Sequence, residues 1–193
     1  MTHVVGLTGG VASGKSHVLR LFAELGVPHL EADDVGRAVV QSGEPALAEI
    51  VHRFGKEVLQ ADGQLDRAKM RGIVFNDAAA LAELNAITHP HIRRRIRTWI
   101  AKQTAPYCLL SAAILLESGL SALVDHILVV DAPEADQLRR LVARDGIGPE
   151  LAQAMLSRQA SRAERLAAAH TVIDNGDPPA DLRPQVLALH RRW

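Results

Sequence analysis

A glycine-rich segment directly behind a short apolar run sets the strongest limit on the fold of this chain. The run is Val4–Leu7, and the segment after it reads T-G-G-V-A-S-G-K-S from Thr8 to Ser16. It matches the pattern G-x-x-x-x-G-K-[ST], in which glycines let backbone N–H groups converge on phosphate oxygens at the positive end of a helix. The pattern predicts a strand, a phosphate loop and a helix, with a bound nucleoside triphosphate. Apolar residues at helical spacing from Val18 to Leu25 support the helix, which we expect to stop at Gly26.

Two residues at the end of the loop carry predicted chemical roles. Lys15 places a mobile positive charge where the β- and γ-phosphates of a nucleotide lie. Ser16 offers the hydroxyl that loops of this type use as a Mg²⁺ ligand. The competing interpretation is a strand-to-helix turn with a surface lysine, and the context on both sides of the loop disfavours it.

The composition narrows the class of protein. A chain of 193 residues, 48% of them hydrophobic, suits one domain with a sizeable core. Lys plus Arg equals Asp plus Glu at 22 each, so no overall field attracts nucleic acid or a membrane surface. The single cysteine, Cys108, excludes an internal disulfide, and its apolar surroundings predict a buried thiol. No export signal and no run of about 18 apolar residues is found. We expect a cytoplasmic protein with no nucleic-acid, membrane or obligate protein partner.

Five short apolar runs alternate with segments of helical spacing. This alternation predicts an α/β fold in which a five-stranded parallel sheet is flanked by helices. Ligands of open α/β sheets gather at the carboxyl ends of the strands, so the residues after each run are candidate functional residues. The runs are Val4–Leu7, Val27–Leu30, Tyr107–Leu110, His126–Val130 and His170–Ile173, and the segments after them are Thr8–Ser16, Glu31–Asp33, Ser111–Glu117, Asp131 and Asp174–Gly176.

A helix-rich stretch from about residue 45 to 105 interrupts the alternation. We expect its helices to break at Gly55, at Asp62-Gly63 and near His89-Pro90. The stretch is either an acceptor-binding subdomain or a structural bundle beside the sheet. With this insertion, residues 1–193 are interpreted as a single domain.

A second helix-rich stretch, from about residue 134 to 165, is rich in arginine. Three-and-four spacing places Arg140 and Arg144 on one helical face, and Arg158, Arg162 and Arg165 on another. Such a run is either a solvated face or a cationic lid over a transferring phosphate. Its position after the fourth strand of a phosphate-loop protein favours the lid.

An acidic pair follows the second apolar run. Glu31 and Asp33 are spaced so that one carboxylate can accept a hydroxyl proton or help to hold Mg²⁺. The alternative is a helix N-cap, because Asp33 and Asp34 precede a helical pattern. The phosphate loop one βα unit upstream favours the acceptor-side role, in which Asp33 orients or deprotonates the acceptor hydroxyl.

The order of these motifs resembles that of the dephospho-coenzyme A kinase family, which transfers the γ-phosphate of ATP to the ribose 3′-hydroxyl of dephospho-coenzyme A. The resemblance covers nearly the full length. Leu7–Ser16 meets the family's opening motif, and Glu31–Arg37 meets its D-A-D-x-x-[AG]-R block with one departure, at Glu31. Ala113–Glu117 is similar to its P-L-L-x-E motif, with departures at the first two positions. Ile173–Gly176 resembles its I-D-N-x-G block, which lies by the adenine of ATP.

The resemblance implies a P-loop kinase fold with a helical substrate-binding insertion and a helical lid, ATP as co-substrate, and Mg²⁺ at Ser16. It implies Asp33 as the base and Arg140 as the phosphate-contacting lid arginine, both catalytic together with Lys15. The implied nucleotide contacts are Gly10, Val11, Ala12, Ser13, Gly14, Lys15, Ser16, His17, Arg144 and Asn175. The implied acceptor contacts are Thr8, Asp33, Arg37, His89, Leu115 and Glu117.

Two other functions stay open at the level of sequence. One is another small-metabolite or nucleoside monophosphate kinase of the P-loop fold. The other is a nucleotide-dependent regulatory protein that hydrolyses slowly and works through a partner. The acidic block and the arginine-rich stretch weigh against a pure switch, which needs no acid on the acceptor side.

Overall fold

Two compact units make up the chain. The computed structural model describes residues 2–75, 77–176 and 181–193. One unit combines Met1–Glu31 with Lys102–Trp193, and the other is Ala32–Ala101. The helices, in chain order, are α1 Lys15–Glu24, α2 Ala32–Ala38, α3 Pro45–Phe54, α4 Arg67–Phe75, α5 Ala78–Ile100, α6 Glu134–Asp145, α7 Pro149–Leu156, α8 Arg162–Ala168 and α9 Leu182–Arg192, with short 3₁₀ turns at Lys56–Val58 and Leu120–Leu123.

A five-stranded sheet organises the first unit. Its strands are β1 His3–Gly9, β2 His29–Glu31, β3 Tyr107–Ser111, β4 His126–Asp131 and β5 Thr171–Asp174. They lie in the order β2-β3-β1-β4-β5, and each neighbouring pair is parallel. The prediction of a parallel five-stranded sheet flanked by helices is confirmed. Strand ends differ from the apolar runs by one or two residues, which is the usual uncertainty of a boundary.

Apolar side chains on the sheet explain why the strands read as continuous apolar runs. On one face, Val5 and Leu7 of β1 join a buried cluster with Phe22 of α1 and Val186 of α9. On the other face a side chain at Gly6 would come within 2.8 Å of the buried Leu115. Because protein covers both faces, neither face needs polar residues. Polar groups are left for the carboxyl ends of the strands, where Thr8, Ser111 and Asp131 are buried.

The described part of the second unit contains α2 to α5 and an isolated antiparallel bridge between Leu59 and Leu65. The predicted break at Gly55 is confirmed, since α3 ends there with a φ of 89°. The predicted break at Asp62-Gly63 is also confirmed, with a turn in which Gly63 has a φ of 78°. The break expected near His89-Pro90 is wrong, because α5 continues through Pro90.

Packing and capping explain how α5 tolerates its proline. Proline removes one N–H from a helix and crowds the preceding turn. Against this, the Asp77 carboxylate caps the helix by accepting from the N–H groups of Ala79 and Ala80. Ala80, which precedes the exposed Pro90 in α5, and Ile96, which follows it, are both buried. The helix contacts α2, α3 and α4. Burial before and after Pro90 favours a helix that continues through it.

The arginine-rich stretch forms three helices, α6, α7 and α8. The first of them, α6, ends at Asp145, with Gly146 after it in the left-handed region. The prediction that Arg158 shares a helical face with Arg162 and Arg165 is wrong, because Arg158 lies in the turn after α7. Ser161 starts a new helix there through a capping box with Glu164.

The helices of the described ranges include none that combines the length and the apolar character needed to cross a lipid bilayer.

Candidate active site

The phosphate loop joins the end of β1 at Gly9 to the start of α1 at Lys15. Gly14 caps α1 with a φ of 101°, a conformation that favours glycine, and a side chain there would collide with Asn175. The Ser13 N–H donates to the carbonyl of Gly10 at 3.0 Å and closes a turn inside the loop. This arrangement leaves the start of α1, with its unpaired backbone N–H groups, facing the loop. It is therefore a site for an anion.

Lys15 is held at the edge of the sheet by a hydroxyl. Its Nζ donates to Oγ of Ser111 at 2.7 Å, and Ser111 is the buried last residue of β3. Glu31, the last residue of β2, is the register partner of Ser111. The hydroxyl fixes the ammonium without neutralising it, so the charge stays available for phosphate. Two other predicted nucleotide contacts, Ser16 and His17, are exposed on the first turn of α1.

Asn175 supports the phosphate loop from the end of β5. Its Nδ2 donates to the carbonyl of Ser13 at 2.8 Å, and the side chain is buried. Its own backbone N–H donates to the carbonyl of Asp131 at the end of β4. The predicted nucleotide contact at Asn175 is thus in direct contact with the loop, and its amide holds Ser13 in position.

Gln137 of α6 lies against the phosphate loop, and Arg140 of α6 contacts the segment after β5. Gln137 is buried, its Nε2 donates to the carbonyl of Ala132 at 2.7 Å, and its Oε1 occupies the space that a side chain at Gly10 would need. Nη2 of Arg140 donates to the carbonyl of Gly176 at 3.2 Å. Nη1 of Arg140 is buried and has no hydrogen-bond partner in the described part of the chain. An unpaired guanidinium N–H is suited to a phosphate oxygen.

The other arginines of the stretch have protein partners. Arg144, at the end of α6, forms two hydrogen bonds with Asp145, which raise the pKa of Arg144 and lower the pKa of Asp145. Nη2 of Arg162 donates to the buried carboxylate of Asp131 at 2.7 Å, and this hydrogen bond raises the pKa of Arg162. Arg165 is buried and donates to the carbonyl of Ala160. Arg144, a predicted nucleotide contact, is therefore paired with a neighbouring carboxylate.

The predicted acceptor contacts of the first unit have distinct surroundings. Thr8 is buried in β1, and its hydroxyl makes a long contact of 3.5 Å with the carbonyl of Ala113. Leu115 is fully buried against Gly6, so its side chain has a packing role. The exposed Glu117 accepts the N–H of Ala160 at 2.6 Å.

The predicted acceptor contacts of the second unit lie on two helices. Asp33 is exposed in the first turn of α2, inside the helix, so the N-cap interpretation does not hold. Arg37 lies one turn later, and its Nη2 is 3.3 Å from the carboxylate of Asp34. His89 is half-buried in α5, where burial and then the charge of Arg93 lower its pKa. Both effects favour the neutral form of the His89 ring.

A reactive cysteine and a metal-binding cluster are two other kinds of functional site that side chains can form. Burial raises the pKa of the Cys108 thiol to about 11, so the thiol stays protonated, and the prediction that it is buried is confirmed. In the described ranges, no group of three or more histidine, cysteine, aspartate or glutamate side chains could hold a metal.

Four residues without a role predicted from the sequence act at the loop or beside it, although the family resemblance matched Gln137 and Gln159 to its lid segments. Ser111 orients Lys15, Gln137 contacts Gly10, Gln159 accepts the N–H of Val11 at 2.8 Å, and Asp131 anchors Arg162. Ser111 and Asp131 lie where the strand-end rule placed candidate residues. The resemblance matched the positions of the two glutamines without giving them a role, because their contacts with the loop join residues far apart in the sequence.

Comparisons with known proteins agree along nearly the whole chain. The family model Dephospho-CoA kinase matches residues 3–180. A Dephospho-CoA kinase from Aeromonas hydrophila is 47% identical over 99% of this chain and 94% of its own length, and one from Methylococcus capsulatus is 45% identical over 98% and 96%. The structure of Dephospho-CoA kinase from Campylobacter jejuni superposes with a TM-score of 0.75, covering 100% of this chain and 97% of its own, at 26% identity. The P-loop kinase fold is thereby confirmed, and the chain belongs to the dephospho-CoA kinase family.

Proposed function

We propose that this protein phosphorylates the ribose 3′-hydroxyl of dephospho-coenzyme A with ATP, giving coenzyme A and ADP, in the last step of coenzyme A biosynthesis. The observation that carries the proposal is the Lys15 ammonium, held by Ser111 at 2.7 Å beside a complete phosphate loop, in a chain of this family. Family membership supports the choice of acceptor. The loop supports the choice of a nucleoside triphosphate as donor.

The proposed mechanism depends on positioning and charge more than on strong acids or bases. Those backbone N–H groups of Gly10–Ser16 that have no protein acceptor bind the phosphates, with Asn175 supporting the loop and His17 and Arg144 as further nucleotide contacts. Lys15 and the unpaired Nη1 of Arg140 neutralise the charge that develops on the transferring group. Asp33 accepts or orients the proton of the 3′-hydroxyl, and the bond from the γ-phosphorus to the β–γ bridging oxygen breaks as the new P–O bond forms.

The acceptor site is proposed from the family motifs. Thr8, Arg37, His89 and Glu117 contact dephospho-coenzyme A, and Leu115 shapes its loop from the core. We propose that residues 1–193 form a single kinase domain, in which residues 45–105 bind the acceptor and residues 134–165 form the lid. Arg140 of α6 supports a lid role, since its Nη1 has no protein partner in the described part of the chain and a cationic cover stabilises a phosphoryl group once water is excluded.

Ser16 is the proposed protein ligand for Mg²⁺. Its side chain is exposed in the first turn of α1, next to Lys15, and so is accessible to a hydrated ion. Mg²⁺ keeps several waters and takes its other ligands from nucleotide phosphates, so one hydroxyl fits this ion. When bound, the ion supplies additional positive charge at the β- and γ-phosphates.

The test is an assay with purified protein, ATP and Mg²⁺. We expect ADP release that depends on dephospho-coenzyme A, with 3′-phosphorylated product appearing at the same rate. Shikimate and nucleoside monophosphates serve as competing acceptors. Faster turnover with one of these, and none with dephospho-coenzyme A, would indicate another small-metabolite kinase. Acceptor-independent, slow hydrolysis with nucleotide-dependent binding to another protein would indicate a regulator.

We also propose that the enzyme works in the cytoplasm on these two substrates, without nucleic acid, a membrane or an obligate protein partner. The balanced charge of the chain supports this proposal, since 22 basic and 22 acidic residues create no strong field for a polyanion.

A further inference from the structure

The loop between α7 and α8, residues Ser157–Ser161, reaches back to the phosphate loop; we name it the return loop. The Val11 N–H donates to Oε1 of Gln159 at 2.8 Å, across a separation of 148 residues. Val11 follows Gly10 in the phosphate loop, where backbone N–H groups are the phosphate ligands. One of those groups is thus already bound by a side chain of the return loop.

The return loop is fixed at the residue next to Gln159. The Ala160 N–H donates to Oε1 of Glu117 at 2.6 Å, and the Ala160 carbonyl accepts from Nη1 of Arg165. Both are charge-assisted hydrogen bonds, which are stronger than neutral ones. With both backbone groups of Ala160 engaged, Gln159 has little freedom to move away from Val11.

The helix after the return loop is anchored to the sheet. Arg162, the first residue of α8, binds the carboxylate of Asp131 through Nη2 at 2.7 Å and Nε at 3.0 Å. Asp131 is the buried last residue of β4. Ser161 closes the capping box with Glu164. The position of Gln159 is therefore set by the rigid end of the sheet.

The phosphate loop contains a backbone conformation that needs such support. Ala12 has a φ of 58°, in the left-handed region that residues with a side chain seldom adopt. Val11 and Ala12 form the centre of the turn closed by the Ser13 N–H and the Gly10 carbonyl. The Val11 N–H and the Gly10 carbonyl belong to the same peptide group, so a fixed N–H at Val11 also orients the carbonyl that closes this turn. Backbone conformations of this kind persist only where surrounding contacts hold them.

We propose that Gln159 is a positioning residue for nucleotide binding. By accepting the Val11 N–H it holds the turn of the phosphate loop in its binding conformation, and Glu117 fixes the segment that carries Gln159. The proposal rests on the nucleotide-binding part of the proposed function, and does not depend on the identity of the acceptor. It gives Glu117 a contact on the nucleotide side of the site.

The experiment measures the Kd for ATP with no acceptor present, together with the amide resonance of Val11 in ¹⁵N-labelled, nucleotide-free protein. For Gln159→Leu we expect the Val11 amide proton to move upfield and the Kd to rise roughly five- to tenfold, the effect of one lost hydrogen bond. Gln159→Glu keeps an oxygen acceptor, so its Val11 resonance should stay near that of the wild type. Gln153→Leu, at an exposed position of α7, is the matched control and should change neither quantity.

The role of Glu117 is tested in the same way. Glu117→Ala should move the Val11 resonance and weaken ATP binding in the same direction as Gln159→Leu. An unchanged Val11 resonance in Gln159→Leu, or a shifted resonance with the ATP affinity of the Gln153→Leu control, would overturn the proposal. Because no acceptor is present, these results do not depend on whether wild-type protein phosphorylates dephospho-coenzyme A. That question is decided by the separate acceptor assay.

Discussion

Lys15 combines a full positive charge with a fixed position. Its Nζ donates to the hydroxyl of Ser111, a residue that is 1% exposed at the end of β3. A carboxylate at the same place would also fix the lysine, but it would cancel the charge that phosphoryl transfer needs. A neutral hydroxyl separates the two effects, so charge and orientation can be tested independently.

Substitution at the two positions should have unequal effects. Lys15→Ala removes the charge, and we expect kcat to fall by a factor of about 10²–10³. Ser111→Ala removes only the orienting hydrogen bond, and we expect a loss of about tenfold or less. Steady-state kcat at saturating ATP measures both. Since Ser111 acts through Lys15, the double variant should be no slower than Lys15→Ala, and additive losses would disprove the coupling.

Asp33 is the residue whose predicted role concerns the acceptor. It is exposed in the first turn of α2, and Asp34 beside it pairs with Arg37 at 3.3 Å. We expect Asp33→Asn to reduce kcat far more than it weakens ATP binding, because the amide keeps the shape of the carboxylate but cannot take a proton. Asp34→Asn is the matched control and should retain kcat. A normal kcat with weakened ATP binding in Asp33→Asn would assign this residue to the metal instead.

At the scale of elements, the sequence predicts the sheet better than the helices. Strands of a parallel sheet are buried on both faces, so each one is a continuous apolar run that can be seen without a partner. The continuation of α5 through Pro90 could not be predicted, because it depends on burial of Ala80 and Ile96 by other helices. The separate start of α8 could have been predicted, since S-x-x-E at Ser161–Glu164 is a capping-box pattern.

The residues of the candidate site also divide into those that the sequence predicts and those that depend on tertiary structure. The phosphate loop is contiguous in sequence, so Lys15 and its neighbours were predicted from a local pattern. Gln137 and Gln159 reach the loop from α6 and from the return loop, and the family resemblance matched both positions without giving either a role. Their contacts follow from tertiary structure alone. Sequence reasoning therefore predicts the loop and Asn175 beside it, but not the contacts through which Ser111, Gln137 and Gln159 support the loop.

The helix α4 contains a glycine at which the effect of backbone entropy on stability can be tested without new side-chain contacts. Gly72 lies in its interior, and a side chain there would meet no atom within 4 Å. We expect Gly72→Ala to stabilise the protein by about 0.5–1 kcal/mol, because alanine loses less backbone entropy on folding. Gly63→Ala is the control. It also has room, with its nearest atom at 3.9 Å, but its φ of 78° disfavours alanine, so it should destabilise by about 1 kcal/mol. Urea unfolding measures the free energy of unfolding of both variants. Equal changes in the two variants would contradict the role of backbone conformation.

At the scale of the whole molecule, α9 and Trp193 pack against the unit that contains the sheet through a cluster of aromatic side chains. Trp193 stacks on Phe22 of α1, with centroids 6.1 Å apart, and the hydroxyl of Tyr107 bonds with Nδ1 of His190 at 2.7 Å. Burial raises the pKa of Tyr107 to about 12, so this hydroxyl keeps its proton. The contacts join α1, β3 and α9, residues from both ends of the chain. Protonation within this cluster should therefore affect unfolding of the unit as a whole.

The effect of protonation on the stability of this unit can be tested at His126. It lies at the start of β4, with its ring 5.4 Å from Trp193 and 5.0 Å from His170. Burial, followed by the positive charges of His170, His3 and Arg192, lowers its pKa from the ordinary value of 6.5. As pH falls, the unfolded chain therefore takes up this proton before the native protein does. The contribution of His126 to stability is complete above about pH 6.5 and is lost as pH falls through the lower native pKa. Urea unfolding at pH 7.5 and at lower pH should show a larger loss for the wild type than for His126→Gln, which keeps every other histidine. Equal losses in the two proteins would show that protonation of His126 is not linked to folding.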